Sequence, residues 1–79
     1  MELKVLSLKG LEYKGEINSL NVKTTSGEIT VLDHHRPLIT ILTKGTAVII
    51  GKENQKTKLE ISSGFLEVSP DNRISVLID

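Results

Sequence analysis

Seventy-nine residues carry ten basic and ten acidic side chains, for a formal net charge of zero, with no cysteine and only one Phe and one Tyr. That balance excludes a disulfide-stapled fold, thiolate chemistry and a cysteine-rich zinc site, and it denies a nucleic-acid binder its basic patch and stacking aromatics. Twenty-six residues are Leu, Ile or Val, a branched aliphatic supply that suits half-buried strands better than helices.

The length sets one small domain over residues 1–79, near the size at which burial becomes marginal. No apolar stretch approaches membrane-spanning length, and the opening MELKVLSLKG lacks a signal-peptide apolar core. A soluble, cytoplasmic protein without direct membrane insertion is therefore the default expectation. No segment sustains a helical period long enough to nucleate a stable helix.

In chain order, strands are expected at Leu3–Leu8, Leu11–Tyr13, Glu16–Lys23, Glu28–Leu32, Leu38–Leu42, Thr46–Ile50, Lys58–Ser62, Phe65–Val68 and Arg73–Ile78. Turn chemistry separates them, with Gly free to take positive φ and Asn, Asp or Ser free to bond locally: Lys9-Gly10, Lys14-Gly15, Thr25-Ser26-Gly27, Lys44-Gly45, Gly51 to Lys56, Ser63-Gly64 and Ser69 to Asn72. Two segments read as hairpins, Gly27 to Leu42 around Asp33–Pro37 and Ser62 to Ile78 around Ser69–Asn72.

Leu20 and Val22 alternate with Asn21 and Lys23, Ile29 and Val31 with Glu28 and Thr30, and Leu59 and Ile61 with Lys58 and Glu60. Ile74, Val76 and Ile78 alternate with Arg73 and Ser75. One buried and one wet face per strand predicts an all-β fold, a small β-sandwich of about nine or ten short strands in two sheets. The period breaks at Val5-Leu6, Leu38-Ile39 and Ile49-Ile50. Each break marks a bulge, a strand crossing between sheets, or an outer face covered by something else.

Chemistry is sparse. His34 and His35 share a loop with Asp33, but Arg36 opposes a cation and a closed zinc site needs four ligands, so no metal is expected. Ser62 and Ser63 lack the Gly-x-Ser-x-Gly context of a nucleophile elbow. Glu60 and Glu67 would make a paired-carboxylate site only if a cleft joined their separate strands. No cofactor motif is present. The chain reads as scaffold and contact surface rather than as an enzyme.

Six short motifs, in order, cover nearly the whole chain: Tyr13-Lys14-Gly15, Thr25-Ser26-Gly27-Glu28-Ile29, His35-Arg36-Pro37-Leu38-Ile39, Lys44-Gly45, Gly64-Phe65-Leu66-Glu67-Val68 and Asn72-Arg73-Ile74-Ser75-Val76-Leu77. Together they resemble the N-terminal β-domain of the epsilon subunit of F-type ATP synthases. Two places depart from the family: Asp33-His34-His35 stands where Pro-Gly-His is usual, and Ser62-Ser63-Gly64 where Ser-Gly-Gly is common. The family's C-terminal helical pair, which inhibits ATP hydrolysis and in some members binds ATP, has no counterpart in these residues, so neither role is assigned to them.

The resemblance implies a β-sandwich in the central stalk, a non-catalytic rotor subunit that links the gamma subunit to the ring of c subunits and helps couple proton flow to ATP synthesis. It would sit peripherally on the cytoplasmic side of the membrane as part of the complex. It further implies that Glu28, His34, His35 and Arg36 approach the c-ring. If one member of each of the apolar pairs Leu38-Ile39 and Ile49-Ile50 faces outward, the domain has an apolar patch that a monomer would not keep uncovered. Thr40, Lys44 and the outward half of that region are the candidate gamma contact. The alternative is a free-standing β-sandwich module that binds a small ligand or carbohydrate in a concave pocket.

Overall fold

The computed structural model describes all 79 residues. It contains eight strands and no helix: β1 (Glu2–Ser7), β2 (Gly10–Thr24), β3 (Gly27–Leu32), β4 (Leu38–Leu42), β5 (Gly45–Gly51), β6 (Lys56–Ile61), β7 (Gly64–Val68) and β8 (Arg73–Ile78). The count falls below the expected nine because Leu11–Tyr13 and Glu16–Lys23 belong to one 15-residue strand. Lys14-Gly15 does not turn; both residues have partners on β1, Lys4 and Leu3.

That long strand organises the fold, because it belongs to both layers. Its first half pairs with β1, and β1, β8, β7 and β4 continue a five-strand layer. Its second half lies between β3 and β5, and β6 completes a four-strand layer. A single pair, Thr24 with Leu42, joins the far end of β2 back to β4, so the layers close on each other at that corner. Thr24, the one buried polar side chain, is satisfied there: it donates to the Gly27 carbonyl at 2.7 Å and accepts from the Ser26 N–H at 3.1 Å.

Two bulges let β2 turn between layers. Val5 opposes Tyr13 and Leu6 opposes Leu11, which leaves Glu12 unpaired. Ile17 opposes Gly51 and Ser19 opposes Ile50, which leaves Asn18 free to donate its amide to the Gly51 carbonyl at 3.1 Å. An extra residue in one strand locally bends it and raises its twist. The broken period at Val5-Leu6 is therefore a bulge, carried by the facing strand.

Fifteen buried apolar residues fill the space between the layers, Leu3, Ile17, Leu20, Leu42, Ile49 and Leu66 among the largest. Leu20, Val22, Val31, Ile61, Ile74 and Val76 are buried as their alternation predicts. No buried side-chain nitrogen or oxygen lacks a partner. Each fully buried aliphatic side chain contributes about 1.5–3 kcal/mol of transfer free energy, and no disulfide supplements that source.

One expected hairpin forms and the other does not. β7 and β8 pair across Ser69–Asn72, where Asn72 takes φ 65° and the Ser69 N–H donates to the Arg73 carbonyl at 2.9 Å. β3 and β4 never pair: β3 bonds to β2 and β4 to β7. The Asp33–Pro37 link carries the chain from one layer to the other, with His34 at φ 61°.

This link is held by distant groups. The Asp33 carboxylate accepts from the Asn72 amide and from the Met1 ammonium, each at 2.9 Å, while the His34 N–H donates to the Asn72 side chain at 2.8 Å. The Asn72 bond first, and the ammonium second, pull the Asp33 carboxyl down from 3.8 to about 2.

A candidate docking face

Strand pairing alone builds the principal surface feature. Across the outer side of the five-strand layer, Ile41 on β4 stands beside Phe65 on β7, Phe65 beside Leu77 on β8, Leu77 beside Leu6 on β1, and Leu6 beside Leu11 on β2. Ile41, Phe65, Leu77 and Leu11 are each 50–58% exposed. Below them runs a second row, Ile39, Glu67, Ser75, Lys4 and Lys14, in the same strand order. Ile39 adds 73% exposure to the patch, and Leu8, at the β1–β2 turn, is 95% exposed. Monomers seldom leave a continuous apolar band of this kind uncovered.

At one end the band opens into a notch of about 480 Å³ among Leu8, Ile41, Phe65, Leu77 and Ile78. Gly64 forms part of its floor, where any Cβ would collide with the backbone carbonyl of Leu77. The glycine lets β7 and β8 approach beneath the apolar row.

The expected site residues fall in three places. Glu28 lies at the Gly27 end of β3 and accepts from the Asn21 amide at 2.9 Å. Lys44 is exposed between β4 and β5 at that same end. His34, His35 and Arg36 follow the other end of β3, where the His35 ring nitrogen Nδ1 lies 2.7 Å from the Arg36 carbonyl. The four residues expected to approach the c-ring are thus divided between opposite ends of the sandwich.

Thr40 is half-buried on the inward parity of β4, with Leu38 and Leu42, while its neighbours Ile39 and Ile41 point out. The Leu38-Ile39 and Ile49-Ile50 breaks each have one inward and one outward member, Ile49 being fully buried and Ile50 half-buried. Phe65, Leu77, Leu6 and Leu11 were not among the expected contacts. The available signal was the unbroken run Val76-Leu77-Ile78, in which the wet-parity position is apolar.

Nothing converges for catalysis or metal binding. Glu60 lies on the outer side of β6 and Glu67 on the outer side of β7, in different layers. No three His, Cys, Asp or Glu side chains come together. A polar hollow of about 380 Å³ is lined by Met1, Glu2, Glu16, Asp71, Asn72 and Arg73. Most of its charges are already paired, the Met1 ammonium with Asp33 and Glu16 and Arg73 with Asp71, and Glu2 alone enters no ion pair.

A profile of the family described as ATP synthase, Delta/Epsilon chain, beta-sandwich domain, matches residues 1–79. The chain belongs to that family. It is 34% identical over 79 residues to the ATP synthase epsilon chain of Alkalihalophilus pseudofirmus, covering all of this chain and 58% of that relative. The chain thus spans a little over half the length of the curated relatives it matches.

The fold also matches a chain in the cryo-EM structure of the Euglena gracilis mitochondrial ATP synthase OSCP/F1/c-ring, with TM-score 0.90 and 22% identity over 96% of this chain and 48% of that one. A second match is in the Tetrahymena thermophila mitochondrial ATP synthase central stalk and c-ring, with TM-score 0.81 and 15% identity over 99% and 62%. At those identities the likeness establishes the fold alone. No helix of the chain is long and apolar enough to cross a membrane.

Proposed function

We propose that this chain is the β-sandwich of a non-catalytic central-stalk subunit of an F-type ATP synthase, which couples proton translocation to ATP synthesis by transmitting torque rather than by chemistry. The observation that carries this reading is the apolar row across five strands in a member of the delta/epsilon family. A close-packed aliphatic sandwich deforms little under load, and the row supplies a flat, extended contact in place of a ligand pocket.

In this reading the gamma subunit covers Ile39, Ile41, Phe65, Leu77, Leu6 and Leu11. The c-ring meets the end that carries Glu28 and Lys44, because exposed Leu8 extends the apolar surface around that end. His34, His35 and Arg36 then face away from the ring. The subunit lies peripherally on the cytoplasmic side of the membrane, held by these protein contacts.

The test is capture of gamma from the same source, read by size-exclusion chromatography and calorimetry. The chain forms a one-to-one complex, and Phe65→Asp lowers affinity by at least about thirtyfold, the scale of a central interface residue. A folded chain that gamma ignores, or a Phe65→Asp variant that binds unchanged, would sink the reading. In the assembled enzyme, Glu28→Lys weakens coupling more than Arg36→Glu does; the reverse order places the ring at the histidine end.

A further inference from the structure

The apolar face carries three charges with no partner in the molecule, Glu67, Lys4 and, at its β2 edge, Lys14. Glu67 and Lys4 lie in the second row on either side of Ser75, one strand away from β8 in each direction. Strands are about 4.8 Å apart, so the two side chains start roughly 10 Å from each other. Neither enters any of the ion pairs of the fold. Both are exposed.

We infer that, when gamma is absent, this face closes on a second copy of the same chain about a two-fold axis running along β8. The inference rests on the reading of the face as a docking surface, and it adds that the free subunit masks that surface with itself.

The geometry selects the axis. A two-fold rotation about β8 exchanges the strands on its two sides and keeps each row opposite itself. Leu77 then meets Leu77, Phe65 meets Leu6 of the other copy, and Ile41 meets Leu11. In the second row Ser75 meets Ser75, and Glu67 meets Lys4 twice, once on each side of the axis. Lys14 falls against Ile39 at the outer edges, where its stem covers the isoleucine and its ammonium reaches water. The self-complementary patch that a two-fold interface demands is therefore present in both rows. An axis across the strands at Leu77 would instead set Lys4 against the Leu8 turn and Glu67 against the Ser63 turn, with no ion pair.

One face of a molecule with 4969 Å² of accessible surface is on the order of the ~800 Å² per partner of a standard interface. Gamma competes for the same residues, so its binding displaces the second copy.

Sedimentation of the isolated chain tests the inference. The average mass rises with concentration from 8.7 kDa toward twice that value. Glu67→Lys and Lys4→Glu each weaken association on the order of tenfold, because each sets two like-charge pairs face to face. The double exchange E67K/K4E restores it. Circular dichroism checks that each variant stays folded, and both sites are exposed. A mass that stays monomeric at every concentration overturns the inference, as does a dimer indifferent to either single change or a double exchange that fails to recover. Gamma capture is measured separately: a monomeric chain that still binds gamma refutes self-masking alone, and a dimer that gamma leaves intact refutes the shared face.

Discussion

The two outer faces of the sandwich are made of the same secondary structure and differ in what they leave unfinished. On the four-strand side, Asn21 donates to Glu28 and to Thr30, each at 2.9 Å, and Thr46 donates to Glu60 at 2.6 Å. The outward apolar residues there, Val48 and Ile50, lie beside Lys58 and Lys56 and are half-buried, as expected where lysine stems cover apolar neighbours. On the five-strand side the outward positions form a continuous apolar row, and its flanking charges bond to nothing. Six of the seven large apolar side chains that stand exposed belong to that side; Leu32 alone does not. Both layers bury the same kind of inner face, so alternation explains the fold, and the proposed contact with gamma rests on the outward parity.

The comparison is sharpest within β7, where Leu66 is fully buried and its neighbour Phe65 is 56% exposed. Leu66→Ala removes core volume between the layers and costs about 2–5 kcal/mol of unfolding free energy. For a domain this small that is a large share of the total, and urea denaturation reads it as a lower midpoint. Phe65→Ala moves the same midpoint by less than about 0.5 kcal/mol, yet weakens gamma binding about tenfold or more. Equal loss of stability in both variants would mean that Phe65 belongs to the core and that the apolar row is structural.

A second contrast lies between the ends. The Glu28 end is closed by backbone pairing at Thr24 and Leu42, whereas the histidine end is tied by side chain and terminus, Asp33 to Asn72 and to the Met1 ammonium. Because the fold holds the Asp33 carboxyl at about 2 against its ordinary 3.8, the folded state takes up the proton less readily than the unfolded one. Its contribution is complete above about 4 and is lost as pH falls through about 2. Asp33→Asn is therefore less stable than the parent near neutral pH, and the gap closes on acidification across that window. Urea midpoints measured at successive pH values check it; a constant gap would show that the carboxylate's charge contributes nothing to the clamp.

Which parts of this were legible in the sequence follows from the range of the interactions. Inward parity was readable wherever β-branched and polar residues alternate, as in Ile74 and Val76 against Arg73 and Ser75, because it depends only on neighbours along the strand. Strand partners were not. Asp33–Pro37 has the composition of a local turn, but the group that holds it, Asn72, lies 39 residues from Asp33, and β3 and β4 consequently lie in different layers. Likewise Lys14-Gly15 looks like a break and remains strand because β1 supplies partners for both residues. Thr40 and Ile41 differ in role only through the register of β4 on β7. The docking row is assembled from five strands, so no single segment contains more than two or three of its residues.

The smallest expected effect tests the finished face. Asn21 makes two side-chain hydrogen bonds there, to Glu28 and Thr30, but on a surface where water can replace each of them. Asn21→Ala should therefore cost under about 1 kcal/mol, the net worth of hydrogen bonds whose acceptors stay solvated. It leaves no buried group unpaired, and it removes nothing from the apolar row on the other layer. Gamma affinity measured by calorimetry should then match the parent within about twofold. An affinity loss comparable to that of Phe65→Ala would reverse the comparison: the polar face would be the one that docks, and the apolar row would need another occupant.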